Sequence, residues 1–147
     1  MIPGRWSYES IEAWYPGTIW NPKGKSIVMY SDWEGYEGRT TYAAIGGCYY
    51  AARLAVCEQL VKEHRQATVI VLREIRPGYI MPVGVWQVRE NVRNAMRQKP
   101  FKFKNLQEAL KFIASRFQIP IERWIRQSEL LKQALFQKRI TDFIEKT

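Results

Sequence analysis

The residues best suited to catalysis lie in an acidic stretch in the first half of the chain. Asp32, Glu34 and Glu37 fall within six residues of one another. Three carboxylates at this spacing could bind a divalent cation, as nucleases do, although a solvated loop has the same composition. His64 is the only histidine, and no Ser/His/Asp or Cys/His pairing accompanies it. No catalytic constellation is identified, so a metal-dependent nuclease or nucleotide-acting enzyme is only an alternative function. We expect no resident metal and no cofactor.

Glycines and charged residues predict a possible anion-binding or active-site crevice. Gly46 and Gly47 precede a predicted helix, where free N–H groups can bind phosphate, although a tight strand-to-helix turn also requires glycine. Arg73 and Glu74 follow an apolar strand, at the end where α/β proteins place binding crevices. Arg53 on the preceding helix could pair with Glu74, and a structural salt bridge is the favoured interpretation of these charges.

A basic stripe is the strongest sign of a nucleic-acid partner. Its six basic residues, against the single acidic Glu90, are Arg89, Arg93, Arg97, Lys99, Lys102 and Lys104. The arginines are four residues apart and share one helix face, opposite the predicted apolar stripe. Phe101 and Phe103 alternate with the lysines; they could stack on bases, but the alternation favours inward packing. Such a ridge predicts salt-sensitive DNA binding that does not depend on base sequence.

The charge distribution supports the same interpretation. Of 147 residues, 23 are Lys or Arg and 14 are Asp or Glu, a net charge of +9. Residues 1–75 carry eight of each sign, so the whole excess lies in residues 76–147. Segregated positive charge indicates a polyanionic partner, although a solvated basic surface is the simpler alternative. No apolar run is long enough to span a membrane, so we expect a soluble, cytoplasmic protein without a membrane partner.

The C-terminal sequence carries a possible peptide motif. Gln137-Lys138-Arg139-Ile140-Thr141-Asp142-Phe143-Ile144 resembles the motif that binds the sliding clamp PCNA. The resemblance implies that Gln137, Ile140, Phe143 and Ile144 contact the clamp, since steps of three and four share one helix side. Ile144 departs from the motif, which usually has a second aromatic there. A terminal amphipathic helix packed on its own domain would show the same pattern.

Sequence periodicity predicts strands first and helices later. Turn signals divide residues 1–45, with strands expected over 25–30 and 40–45; residues 67–72 form an apolar strand covered on both faces. Helices are predicted over 48–64, 85–98, 106–117, 120–128 and 129–138, the third capped by Asn105 and Glu108. Cys48 and Cys57 have neither disulfide nor zinc-site spacing.

We therefore predict an α+β fold with N-terminal Trp/Tyr-rich strands, a central βαβ-like unit and a helical C-terminal half. Residues 1–136 are expected to form one domain, and residues 137–147 a clamp-binding peptide. Four of the six Trp and seven of the eight Tyr lie within residues 6–50. This region could instead be the interface of a structural subunit in a larger assembly.

Three longer strings resemble the C-terminal region of the archaeal Nre DNA-repair family. They run over residues 46–56, 65–75 and 84–90, beginning with Gly46-Gly47-Cys48-Tyr49-Tyr50. The resemblance implies a role in the response to DNA damage and a C-terminal clamp-binding motif. The cysteine-rich N-terminal region of the family has no counterpart here, so functions of that region do not carry over. The leading hypothesis is a repair accessory domain that contacts DNA and is tethered to the sliding clamp.

Overall fold

A computed structural model describes residues 1–78 and 84–136. Within these residues four strands form one sheet, and five helices accompany it. The strands are β1 (Ile2–Pro3), β2 (Ser7–Trp14), β3 (Val28–Glu34) and β4 (Ala67–Ile75). The helices are α1 (Gly47–Lys62), α2 (Val85–Arg97), α3 (Leu106–Arg116), α4 (Ile121–Gln127) and α5 (Glu129–Phe136). The predicted α+β class, with strands mainly N-terminal and a helical C-terminal half, is confirmed.

The sheet is mixed, in the order β1-β4-β2-β3. β2 and β4 are parallel neighbours, and β1 and β3 pair antiparallel at the two edges. α1 connects β3 to β4, and β4 has a hydrogen-bonded neighbour on each side. The prediction of an interior strand beginning at Ala67 is therefore confirmed, although the strand runs on to Ile75.

Helices cover both faces of the sheet. On one face, Tyr8 and Val69 pack with buried residues of α1 and α2, among them Val56 and Val92. On the other face, Ile11 and Ala13 of β2 pack with Ile119, which precedes α4, and with Trp124 in the middle of α4. The apolar side chains of β2 thus point to both faces of the sheet, as expected for a strand between two layers of helices.

β2 also carries two glutamates that are almost completely buried. Glu9 is 1% exposed; its carboxylate accepts hydrogen bonds from Ser128 Oγ and from the backbone N–H groups of Glu129 and Leu130. It therefore caps the first turn of α5, whose N–H groups have no partner within the helix. Glu12 is 4% exposed and is paired with Arg73 of β4.

The strand predicted over residues 40–45 is absent, which corrects that expectation. Side chains bind the backbone here: Ala43 N donates to Tyr50 Oη at 3.0 Å, and Ala44 N donates to Asp32 at 2.7 Å. A backbone whose N–H groups are taken by side chains has no donors left for a strand ladder.

The helix boundaries follow local signals closely. Asn105 accepts a hydrogen bond from Glu108 N at 2.9 Å, and Glu108 accepts one from Lys104 N, so the predicted cap of α3 is confirmed. Cys48 and Cys57 both lie on α1, free and half-buried. In the described part of the chain, no helix is long and apolar enough to cross a membrane.

Candidate nucleic-acid interface

The six basic residues of the predicted stripe lie on α2 and on the segment that joins α2 to α3. Every residue from 97 to 105 is exposed, whereas Arg89 and Arg93 are half-buried. The exposed members of the stripe are Arg97, Lys99, Lys102 and Lys104. We call residues 97–105 the basic segment. Its charges are open to solvent and to any polyanion that approaches this side of the protein.

Arg93 faces α1 rather than solvent. Its Nε and Nη2 atoms donate to the two carboxylate oxygens of Glu58 on α1, at 2.8 and 2.6 Å, and Nη1 donates to Glu90 at 2.6 Å. The hydrogen bond from Arg93 lowers the pKa of Glu58. Arg89 lies 3.9 Å from Glu90. The expectation of one free arginine face is therefore corrected: Arg93 links α2 to α1, and Arg97 is the exposed arginine.

A group of aromatic rings lies beside the basic charges. The ring centroid of Phe112, on α3, is 4.5 Å from that of Phe101 and 5.2 Å from that of Phe103. The guanidinium of Arg116, one turn further along α3, lies 5.0 Å from the Phe112 ring centroid. Phe101 is 67% exposed and Phe103 39% exposed. The expectation that they pack inward is therefore wrong: they contact Phe112 but remain at the surface.

Phe101, Phe103 and Phe112 together are called the phenylalanine platform below. Sequence reasoning named only Phe101 and Phe103, because both belong to the run that alternates with lysine. Phe112 lies in the middle of the third predicted helix, outside that run. The available signal was the i,i+4 spacing of Phe112 and Arg116, which places an aromatic ring and a cation on one helix side.

Two of the three acidic residues make structural contacts, and the third, Glu37, is exposed. Arg39 binds both carboxylate oxygens of Asp32, at 2.7 and 2.8 Å. Glu34 is 2% exposed, lies 2.7 Å from Arg53 Nε and accepts a hydrogen bond from the indole of Trp6. Among residues 1–78 and 84–136, no group of three or more His, Cys, Asp or Glu side chains is placed to hold a metal ion. The carboxylates of Asp32 and Glu34 are therefore each paired with an arginine of this protein.

Asp32 holds the loop that leads to α1, and this predicts its effect on stability. Burial opposes ionisation, but hydrogen bonds from Ala44 N, Arg39 and Trp33 N outweigh it and keep the pKa of Asp32 below its usual range. Because its pKa is lowered in the folded protein, ionised Asp32 contributes to the free energy of unfolding above pH 3.8, its ordinary pKa. This contribution is lost as the pH falls below that value. We expect Asp32→Asn to cost about 1.5–3 kcal/mol at pH 7, measured by urea unfolding. The difference from the parent chain should shrink as the pH falls below 3.8; a constant difference would contradict this role.

Gly46 and Gly47 stand at the beginning of α1, and Gly47 provides room for α2. Gly46 has φ 63° and ψ −146°, a conformation that glycine adopts without strain. A Cβ atom on Gly47 would lie 2.6 Å from Cγ1 of Val85, the first residue of α2. The space next to Gly47 is therefore occupied by a side chain of this protein. The contact explains the glycine without a phosphate, and it favours the turn interpretation over the anion site.

The charges predicted beside those glycines are also paired within the fold. Arg73 pairs with Glu12 on the neighbouring strand. Glu74 accepts a hydrogen bond from Ile119 N at 2.9 Å and pairs with Arg76 at 2.7 Å. Glu74 thus binds the backbone of the segment that leads into α4.

Arg53 does not pair with Glu74, which corrects that expectation. It lies 2.7 Å from Glu34, at the end of β3. The five residues of the predicted crevice therefore do not meet in one site: Arg53 is engaged with β3, while Arg73 and Glu74 point to opposite faces of the sheet.

The predicted clamp-binding residues Gln137, Ile140, Phe143 and Ile144 lie outside the described residues. The last described residue, Phe136, is the end of α5.

The fold and the surface together define an α+β domain with an exposed basic segment beside a cluster of phenylalanines. A family model described as "Archaeal Nre, C-terminal" matches residues 34–143. The chain belongs to this family, as its sequence resemblance predicts.

Relatives with curated names match most of the chain. The DNA repair protein NreB of Archaeoglobus fulgidus is 45% identical over 144 residues, which cover 98% of this chain and 36% of the relative. The DNA repair protein NreA of Haloferax volcanii is 37% identical over 145 residues, 97% of this chain and 34% of the relative. The chain therefore spans about a third of the length of these relatives. No solved structure matches it significantly.

Proposed function

We propose that this chain acts in DNA repair, as an accessory domain that contacts DNA through its basic segment and is recruited by a sliding clamp. The observation that carries the DNA contact is the run of exposed residues from 97 to 105, in which four side chains are basic and none is acidic. Membership of the Nre family and the names of its relatives support the repair context.

The basic segment has the properties needed for binding to a phosphate backbone. Exposed lysines keep their hydration and mobility, and they displace condensed counterions from DNA when they approach phosphates. Arg93 contributes less, because breaking its pairs with Glu58 and Glu90 would oppose any contact that it makes with a phosphate. The proposal therefore gives the leading role to Arg97, Lys99, Lys102 and Lys104, with Arg89 beside them.

The salt dependence of DNA affinity tests this contact. Each lysine that neutralises a phosphate contributes about 0.9 to the slope of log affinity against log salt concentration. We expect Lys102→Gln with Lys104→Gln to reduce the slope by up to about 1.8, and to weaken binding by a similar factor for duplexes of different sequence. The measurement is fluorescence anisotropy with labelled DNA over a range of salt concentrations.

The chain offers a matched control for this experiment. Lys23 and Lys25 are also exposed lysines separated by one residue, in the turn before β3. Changing both to Gln removes the same charge from a different part of the surface, so the net charge of the two double variants is equal. An equal loss of slope in the two variants would mean that DNA responds to net charge alone, and the proposed contact would be rejected.

Recruitment by the clamp is assigned to residues 137–147, with residues 1–136 as the single folded domain. The motif residues follow α5 immediately, and the family match extends through Phe143. Two weak contacts on one chain reinforce each other, because binding of the peptide to the clamp raises the local concentration of the domain at DNA. A basic segment with modest affinity is then sufficient.

A further inference from the structure

The phenylalanine platform exposes apolar area where the fold does not require it. Phe101 has no polar atom in its side chain, yet two thirds of the residue is accessible to solvent. The ring nevertheless contacts another ring: its centroid lies 4.5 Å from that of Phe112, with the two planes inclined by 39°. Phe103 contacts the same partner ring from the neighbouring position of the segment. The platform is therefore a set of three rings in mutual contact, of which Phe101 is the most exposed.

The charges around the platform indicate what kind of partner it suits. Between residues 97 and 111 there are five basic residues and one acidic residue, Glu108. Glu108 accepts a hydrogen bond from the backbone N–H of Lys104 and so belongs to the cap of α3. A second copy of this chain would bring the same positive charges against these, which disfavours self-association. A partner with flat apolar faces and regularly spaced negative charges fits the surface better.

We propose that the phenylalanine platform binds single-stranded nucleic acid, with an unpaired base stacked on Phe101 and the flanking phosphates near Lys99, Lys102 and Lys104. This inference rests on the proposed DNA contact and specifies its substrate. Bases of a duplex already stack on each other, so an aromatic side chain reaches their faces only by unstacking a base step. In a single strand every base presents a free π face, and stacking on an aromatic side chain tolerates any sequence. Aromatic side chains beside basic charges are the usual composition of such surfaces.

The test replaces the aromatic face and keeps the apolar contact. Phe101→Leu with Phe103→Leu leaves branched aliphatic side chains against Phe112, so the segment has little reason to unfold. Loss of base stacking should weaken binding to a labelled single-stranded oligothymidylate by about 5- to 150-fold for each stacked base. Affinity for a duplex of the same length should stay unchanged. Phe136→Leu is the matched control, because Phe136 is a comparably exposed phenylalanine, at 73%, on α5.

The outcomes separate this inference from the DNA contact on which it rests. If the leucine variant retains its affinity for the single strand while Lys102→Gln with Lys104→Gln loses affinity, the stacking inference fails and the DNA contact stands. If neither variant changes binding to either nucleic acid, both fail. Equal losses on single strand and duplex would also overturn the stacking inference. The stacking inference would also be overturned if the parent chain sediments as a dimer and the leucine variant sediments as a monomer. The platform would then be an interface between copies of this chain.

Discussion

Replacing Arg73 with methionine is expected to lower the free energy of unfolding by about 3–5 kcal/mol. Arg73 is the ionic partner of Glu12, and their side chains are 14% and 5% exposed. The methionine fills much of the same space but leaves the carboxylate of Glu12 buried without its counter-ion. The indole of Trp14 still donates to Glu12 at 3.2 Å, which is a weaker compensation than a positive charge. Urea unfolding at pH 7, followed by tryptophan fluorescence, measures the loss.

A double variant distinguishes the cost of an unpaired charge from the cost of lost packing. Glu12→Gln with Arg73→Met removes both charges, so it should be more stable than Arg73→Met alone. Arg65→Met is the matched control, because Arg65 pairs with Glu63 at the surface, where the side chains are 42% and 35% exposed. An exposed pair contributes at most about 1 kcal/mol. Similar losses for Arg65→Met and Arg73→Met would contradict a special role for the buried pair.

The helices could be predicted from the sequence because their signals are local. Asn105 and Glu108 mark the beginning of α3 within four residues of each other, and Pro120 stands immediately before α4. The apolar run from Ala67 is also a local signal, and it predicts β4. The side chains of β4 pack against helices on both faces of the sheet, so apolar and polar residues do not need to alternate along the strand. In each case the residues that decide the element lie inside it or next to it.

The central strand β2 could not be recognised in this way. Its eight residues include Glu9 and Glu12, which a hydropathy pattern assigns to the surface. Their burial is compensated by groups far away in the chain: the beginning of α5 binds Glu9, and Arg73 pairs with Glu12 across 61 residues. Buried carboxylates are tolerated only with such partners, and a local pattern contains no information about them.

The same limit applies to the charged residues of the candidate site. The sequence places Arg53 on α1 and Arg93 on α2, but their partners depend on how these helices lie against their neighbours. In the fold Arg53 reaches Glu34 at the end of β3, and Arg93 reaches Glu58 on α1. Exposure of the basic segment could be anticipated from its composition. The exposure of Phe101 could not be anticipated, because its contact with the ring of Phe112 depends on how α3 packs against the rest of the fold.

The second large effect concerns recruitment. Ile140→Ala with Phe143→Ala is expected to weaken binding of the full chain to a purified archaeal sliding clamp by about 100-fold or more. If the motif binds as its resemblance implies, both side chains enter one apolar pocket of the clamp, and truncating two buried anchors removes most of the contact that offsets the ordering of the peptide. Isothermal titration calorimetry measures the affinity. Binding of the variant to DNA in the absence of clamp should remain as in the parent chain, which shows that the folded domain is intact.

Two comparisons make this experiment decisive. Thr141→Ala changes a position that the motif leaves unspecified, so clamp affinity should be retained. Lys102→Gln with Lys104→Gln should likewise bind the clamp as the parent does, because the proposal assigns the basic segment and the terminal peptide to different partners. On clamp-loaded DNA, however, either double variant should reduce the apparent affinity, since each removes one of two linked contacts. An Ile140 and Phe143 variant that binds the clamp normally would contradict recruitment through these side chains.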